Sequence, residues 1–214
     1  MMLTVYGRST SSNVQALLWG LEEMGLAYAR LDYGENYGGL DSPEFRAMNP
    51  HGKIPVVTVG DDALFETSAI LRYLAGLHGS EAFWPSDPLA RAQVDMWADW
   101  AKNDVAEGFT WPVFWRVVRT PKPRWDHAAI RAAVDKLEQE LAIAEAQLTQ
   151  HAYLCGDTLT LADIMLGHVL YRYFDIEIER RDFPSLKGYF VRLAERPAYR
   201  ATVMTSYDVL RDTI

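Results

Sequence analysis

The chain has 214 residues, of which 49% are hydrophobic and 23% charged, the balance of a globular protein with one large or two modest domains. Its net charge of −8 argues against nucleic-acid binding, which needs clustered Lys and Arg. No apolar run approaches the ~18–20 residues of a membrane span, and Met1–Tyr6 lacks the basic region of a signal peptide. The single cysteine, Cys155, excludes an intrachain disulfide, so we expect a cytoplasmic protein.

The first part of the chain alternates strand and helix patterns. The predicted elements are a strand at Leu3–Tyr6, a helix from Asn13 to Met24, a strand at Ala27–Leu31, a short helix at Pro43–Met48, a hairpin of Val56–Val59 and Ala63–Phe65, and a helix from Thr67 to Leu77. A strand–helix–strand start favours parallel pairing. The pattern predicts an α/β domain over residues 1–80.

Strand patterns disappear after a segment with linker composition, Gly79–Pro88. The predicted helices run from Leu89 to about Val118 with a bend near Gly108 or Pro112, from Asp126 to about Thr149, from Thr160 to about Phe174, and from Pro184 to Ala194. This pattern predicts an all-helical domain over residues 87–214. Thr160 and Asp163 have the spacing of a capping box, for which we expect a structural role.

A loop rich in hydroxyl side chains, Gly7–Asn13, joins the first strand to the first helix, and we call it the serine loop. Open α/β sheets tend to bind ligands at the carboxyl ends of their strands. A hydroxyl held near helix N–H groups can donate a hydrogen bond to a thiolate and so lower the pKa of an external thiol. Ser, Thr and Asn are also the preferred N-cap residues, so capping and catalysis both remain open for this loop.

A second segment combines a proline with the start of a β-branched run. In Asn49–Pro55, the proline precedes Val56–Val59, where a missing N–H is tolerated at the edge of a strand. An X-Pro bond held at such a position can be cis, and Ile54 would then present free N–H and C=O groups to an extended ligand. Next along the chain, Glu66 and Thr67 place a carboxylate and a hydroxyl at a helix start, which indicates a site for a ligand with ammonium and carboxylate groups.

These motifs together resemble the glutathione S-transferase family. The first strand, the serine loop, Asn49–Pro55, Glu66-Thr67 and the later Gly156–Ile164 occur in the order and with spacings similar to those of the family. The resemblance covers essentially the whole chain. It implies a thioredoxin-like N-terminal domain that binds glutathione, and an all-α C-terminal domain that supplies most of the pocket for a hydrophobic electrophile. It also implies a homodimer.

The resemblance assigns roles to individual residues. Ser11 stands where serine-type, theta-like and bacterial members keep the hydroxyl that hydrogen-bonds the glutathione sulfur, while Tyr6 stands where tyrosine-type members place theirs. Ser9, Ser12 and Asn13 are rivals within the same loop and candidates for binding glutathione. By the same resemblance, Lys53 contacts the glycyl carboxylate, Ile54 pairs through its backbone with the cysteinyl part, and Glu66 with Thr67 holds the γ-glutamyl end.

We therefore predict a glutathione transferase that joins the glutathione thiolate to an electrophilic small molecule. The alternatives are a glutathione-dependent isomerase, dehalogenase or disulfide reductase, and a non-catalytic binding protein on the same fold. Gln15 replaces the arginine of isomerase-type members. Cys155 has apolar neighbours and is predicted to be a buried small residue. The Gly7–Asn13 loop contains no cysteine, which argues against exchange through an enzyme thiol.

Four tryptophans of the helical part are candidates for an aromatic acceptor pocket or for ordinary core positions: Trp97, Trp100, Trp111 and Trp115. Asn103 and Arg116 are the candidate polar groups of such a pocket. The histidines show no metal-ligand spacing, so we predict no metal site.

Overall fold

The computed structural model describes residues 2–214. Its first part contains β1 (Leu3–Tyr6), α1 (Ser12–Glu23), β2 (Tyr28–Leu31), α2 (Pro43–Met48), β3 (Val56–Val59), β4 (Asp62–Phe65) and α3 (Thr67–His78). The sheet order is β2-β1-β3-β4, with β1 parallel to β2 and the other two pairs antiparallel. This mixed sheet with its helices is the predicted thioredoxin-like domain, and the parallel start is confirmed. Asp62, expected in the turn, belongs to β4.

The second part of the described chain is helical, as predicted. It contains α4 (Pro88–Trp100), a π-helical stretch (Ala101–Ala106), α5 (Glu107–Phe109), a second π-helical stretch (Thr110–Arg119), α6 (His127–Leu148), α7 (Leu161–Asp175), α8 (Pro184–Glu195) and α9 (Pro197–Thr202). Of the two residues near which a bend is predicted, Gly108 lies in α5 and Pro112, which has no N–H for a regular helical bond, lies in the second π-helical stretch. The sequence patterns did not predict α9.

The two parts share one apolar core, because α1 packs against both α7 and α9. Trp19 of α1 is fully buried, and its ring meets Tyr199 of α9 edge-on at a centroid distance of 4.7 Å. Gly167 of α7 lies beneath the same indole, where an added Cβ would come within 2.8 Å of a ring carbon. The absence of a side chain at Gly167 therefore lets α7 approach the helix that follows the serine loop.

The capping box at the start of α7 is confirmed. Asp163 is fully buried and accepts hydrogen bonds from the Thr160 N–H at 2.7 Å, the Thr160 hydroxyl at 2.9 Å, the Leu154 N–H at 2.9 Å and the Tyr189 hydroxyl at 2.9 Å. One carboxylate thus joins the start of α7 to the preceding loop and to α8. Because these four donors are buried, the carboxylate spares them the cost of lacking a partner.

Candidate functional site

Ser11 is the N-cap of α1, so its side chain is placed by the helix that follows it. Its hydroxyl oxygen accepts a long hydrogen bond of 3.5 Å from the Val14 N–H, and the residue is half-buried. Among residues 2–214, the hydroxyl donates to no partner. Ser11 therefore caps the helix and keeps a proton to donate, and the N-terminal end of the α1 dipole favours negative charge at the same place.

The other polar residues of the loop have different environments. The Asn13 side-chain oxygen accepts from Lys102 Nζ at 3.0 Å, and its backbone carbonyl accepts from the Thr67 hydroxyl at 3.3 Å. Ser9 and Ser12 are half-buried, and within the described residues their hydroxyls make no hydrogen bond. The structure thus brings Ser11, Asn13 and Thr67 together although 54 residues separate Asn13 from Thr67.

The segment before β3 is built around a buried amide. Asn49 is 2% exposed, donates from Nδ2 to the Lys53 carbonyl at 2.8 Å, and accepts from the His51 N–H at 3.0 Å. The following bond, Ile54-Pro55, is cis. These contacts shape the loop, leaving the Lys53 side chain exposed.

Ile54 lies against the beginning of the serine loop. An added Cβ at Gly7 would meet the Ile54 side chain at 3.3 Å, and the antiparallel pairing of Tyr6 with Val56 sets this alignment. Within residues 2–214, the Ile54 N–H and C=O have no hydrogen-bond partner. The main chain of Ile54 is therefore available to an extended ligand beside the loop that carries Ser11.

Glu66 occupies the N-cap position of α3 but does not cap the helix with its side chain. It has a positive φ of 68° and an exposed side chain without a capping hydrogen bond. Thr67 is 3% exposed, and its hydroxyl is directed to the Asn13 carbonyl. Neither side chain therefore caps α3, and the first N–H groups of the helix are left for an anionic ligand group.

Two cations from the helical part hold the serine loop. Lys102 contacts Asn13, and Arg172 of α7 donates from Nη2 to the Thr10 carbonyl at 2.8 Å. The Arg172 guanidinium lies over the rings of Phe114 at 4.8 Å and Tyr207 at 5.5 Å, and burial lowers its pKa to about 10. The signal of this role in the sequence is an arginine within the mostly apolar run of α7.

A cleft of 440 Å³ adjoins the serine loop. It is lined by Arg8, Ser9, Thr10, Glu35, Asn36, Tyr37, Arg119, Val209, Leu210 and Thr213. Glu35 accepts from Arg119 Nη1 at 2.9 Å, Arg119 Nη2 at 3.0 Å and Arg8 Nη2 at 3.1 Å. The hydrogen bond from Arg119 is the main cause that lowers the pKa of Glu35. A larger cavity of 640 Å³, at Trp125–Val134 and Ile176–Arg180, contains none of the predicted site residues.

The aromatic and polar candidates for an acceptor pocket do not form one group. Trp97 and Trp100 pack against each other edge-on at 5.2 Å, and the rings of Trp111 and Trp115 are tilted by 34° with centroids 3.7 Å apart. Of these, Trp115 lies next to the cleft, because the Arg119 guanidinium stacks over its ring at 4.2 Å.

The remaining candidate residues do not line the cleft beside the serine loop. Asn103 lines a separate cavity of 290 Å³, and Arg116 is exposed. The Tyr6 ring packs edge-on against Tyr33 at 5.3 Å. Cys155 is half-buried, and burial raises the pKa of its thiol to about 12, so it is a poor nucleophile.

Neither a membrane span nor a metal cluster is found in the described part of the chain. No helix there is long and apolar enough to cross a bilayer. No group of three or more His, Cys, Asp or Glu residues within 2–214 is arranged to hold a metal ion.

Comparisons with known proteins find similar sequences over nearly the whole chain. The family model for the glutathione S-transferase N-terminal domain matches residues 1–76, and that for the C-terminal domain matches residues 112–197. Glutathione S-transferase GstB of Escherichia coli strain K12 is 33% identical over 205 residues, which cover 95% of this chain and 98% of that protein. Glutathione S-transferase 3 of Zea mays is 32% identical, covering 94% of this chain and 93% of the maize protein.

A solved structure is similar over nearly the full length. The theta class glutathione S-transferase from Xanthomonas axonopodis pv. citri, with glutathione bound, superimposes with a TM-score of 0.90 at 43% identity. The match covers 95% of this chain and 98% of that one.

Proposed function

The chain belongs to the glutathione S-transferase family, and we propose that Ser11 is the residue with which it activates glutathione. It is a glutathione transferase, as its relatives are. The observation that carries the assignment of Ser11 is the position of its hydroxyl: it stands at the N-terminus of α1, with its proton uncommitted among the described residues.

Glutathione would lie along the edge formed by Ile54 and the start of α3. The free main-chain groups of Ile54 pair with the cysteinyl part, as an added strand would. Glu66 attracts the γ-glutamyl ammonium, while the α3 N–H groups receive its carboxylate. The exposed Lys53 reaches the glycyl carboxylate.

This placement directs the thiol to the serine loop, where Ser9, Ser12 and Asn13 surround it. Asn13 is itself held in place by Lys102 and Thr67. Thr67 acts through this contact, because its hydroxyl proton is already given to Asn13.

The chemistry follows from stabilising the thiolate over the thiol. The Ser11 hydroxyl donates to the sulfur, and the α1 dipole favours the negative charge. Lowering the thiol pKa by about two units requires about 2.7 kcal/mol, which one or two hydrogen bonds to a charged acceptor supply. The thiol proton leaves to solvent, the sulfur forms a bond to the electrophilic carbon, and the leaving group departs with its electron pair.

A comparison of three alanine variants tests Ser11. We expect Ser11→Ala to lower kcat/KM with chlorodinitrobenzene by about 100-fold, the effect of removing one donor to a developing anion. Ser9→Ala and Ser12→Ala are the matched controls, since each removes a hydroxyl from the same loop. Full turnover by Ser11→Ala would refute the assignment, and a large loss in Ser9→Ala alone would transfer the role to Ser9.

The alternatives of the sequence analysis receive no support from the structure. Disulfide exchange through an enzyme thiol would need a reactive cysteine, whereas the pKa of the Cys155 thiol is raised to about 12. Nothing in the geometry favours an isomerase, a dehalogenase or a non-catalytic protein.

The assembly and location are also proposals. A homodimer is supported by exposed apolar side chains on α3 and α4, including Tyr73 and Leu77 on one helix and Leu89 and Met96 on the other. The lone cysteine supports a cytoplasmic location. We place the glutathione-binding domain at residues 1–80 and the electrophile-site domain at residues 87–214. The proposed acceptor is a hydrophobic electrophile that enters between the two.

A further inference from the structure

The cleft beside the serine loop is positively charged in an acidic protein. Its lining contains two guanidinium groups, those of Arg8 and Arg119, and one carboxylate, that of Glu35, and so has a net charge of about +1 by this count. The whole chain carries −8. A cleft of the opposite sign concentrates ligands of the complementary charge.

The two arginines differ in how fully they are paired. Each of the three Arg119 guanidinium nitrogens has a partner: Nη1 and Nη2 on Glu35, and Nε on Thr213 at 2.9 Å. Arg8 gives only Nη2 to Glu35, and its Nε is buried without a hydrogen-bond partner among the described residues. The Arg8 Nη1 also makes no hydrogen bond among the described residues and, unlike Nε, is not enclosed, so Arg8 keeps a donor for an anion, whereas every guanidinium nitrogen of Arg119 is already paired.

The backbone holds the shared carboxylate in an unusual position. Glu35 has a positive φ of 52°, in the left-handed region that few non-glycine residues adopt. It follows Gly34, which packs close to Arg8 and Ile54. The loop therefore places one carboxylate between the two arginines and leaves the rest of the Arg8 guanidinium without a counter-ion.

The cleft is also positioned to receive the electrophilic acceptor substrate. Ser9 and Thr10 line it, and Ser11 is the next residue along the chain. Val209 and Leu210 supply apolar surface to the same cleft. If the electrophilic carbon lies at the glutathione sulfur near Ser11, the apolar part of the electrophile would pack against this surface.

We propose that this cleft is the acceptor subsite and that Arg8, supported by Arg119, selects electrophiles that carry a carboxylate group. The inference rests on the proposed function. In the reaction, the thiolate forms a carbon–sulfur bond, the carbon–chlorine bond of an aryl chloride breaks, and chloride leaves with the electron pair. The carboxylate of the acceptor stays intact on Arg8 through a charge-assisted hydrogen bond.

The test compares two acceptors of the same shape, a chloronitrobenzoate and the corresponding chloronitrobenzamide. The measured quantity is the ratio of their kcat/KM values, each divided by the uncatalysed rate. In Arg8→Met we expect the preference for the acid to fall about tenfold, the effect of one charge-assisted hydrogen bond. In Glu35→Gln, which removes the competing carboxylate, we expect the preference to rise about threefold.

Lys122→Met is the matched control, because it removes a charge from an exposed pair with Glu177 outside the cleft. A ratio that changes no more in Arg8→Met and Glu35→Gln than in the control would overturn the proposal. If Arg8→Met fails to fold, Glu35→Gln decides, since a purely structural tie between the arginines predicts no gain for the acid. Failure of the proposed function is distinguishable, because it would leave turnover of the neutral amide unchanged in Ser11→Ala.

Discussion

His168 makes the stability of the fold depend on pH. The side chain is 1% exposed, Nδ1 lies 3.3 Å from the Ile164 carbonyl, and Nε2 has no partner among residues 2–214. Burial, followed by the charge of Lys102, lowers the pKa of His168 to about 3. The folded state therefore holds the imidazole neutral, whereas the unfolded chain protonates it near its ordinary value of about 6.5.

The sign and size of the effect follow from this difference. The contribution of His168 is fully present above about pH 6.5 and is lost as the pH falls towards about 3, because the unfolded chain binds the extra proton. Between about pH 7 and about pH 5, linkage gives a loss of about 2 kcal/mol in unfolding free energy. Urea unfolding at fixed protein concentration at these two pH values measures it.

The matched variants are His168→Gln and, as a control at an exposed histidine, His78→Gln. We expect His78→Gln to keep the loss of stability between the two pH values and His168→Gln to remove most of it, whatever its own stability. If His168→Gln and the unsubstituted protein lost the same unfolding free energy between the two pH values, the claim that the buried imidazole is neutral would be wrong.

Three further predictions concern the rest of the chain. Asp163→Asn should destabilise the protein by about 3 kcal/mol in urea unfolding, because an amide cannot accept from all the buried donors around it; a change below about 1 kcal/mol would contradict this. Gly52→Ala should cost about 1–2 kcal/mol, since Gly52 has a φ of 61° and a Cβ would displace the Arg46 guanidinium; an unchanged urea midpoint would argue against it. At about pH 8, iodoacetamide should leave Cys155 unmodified by mass spectrometry in the folded protein and alkylate it in urea, because its pKa is raised to about 12; rapid labelling of the folded protein would show a reactive thiol.

Most of the fold could be predicted because its signals are local. Hydrophobic periodicity located the strands and the long helices, and the capping box at Thr160 located the start of α7. The helix α9 was missed because it is short and begins at Pro197 directly after α8. The two π-helical stretches, Ala101–Ala106 and Thr110–Arg119, depend on packing in the helical part, which no local pattern encodes.

In the site too, local motifs were predicted and long-range contacts were not. The serine loop and the Asn49–Pro55 segment were visible because their chemistry lies within a few consecutive residues. The contacts that hold the loop were not, since Lys102 reaches Asn13 across 89 residues and Arg172 reaches Thr10 across 162. No sequence motif marks Glu35, and only the folded chain shows that it joins Arg8 to Arg119.

The central claim is that the Ser11 hydroxyl stabilises the glutathione thiolate. The most direct measurement is the pKa of the bound thiol, obtained from the ultraviolet absorbance of the thiolate as a function of pH. We predict that binding lowers this pKa by about two units, that Ser11→Ala restores at least about one unit, and that Ser9→Ala leaves it unchanged. A bound thiol with the same lowered pKa in Ser11→Ala as in the unsubstituted enzyme would contradict the account.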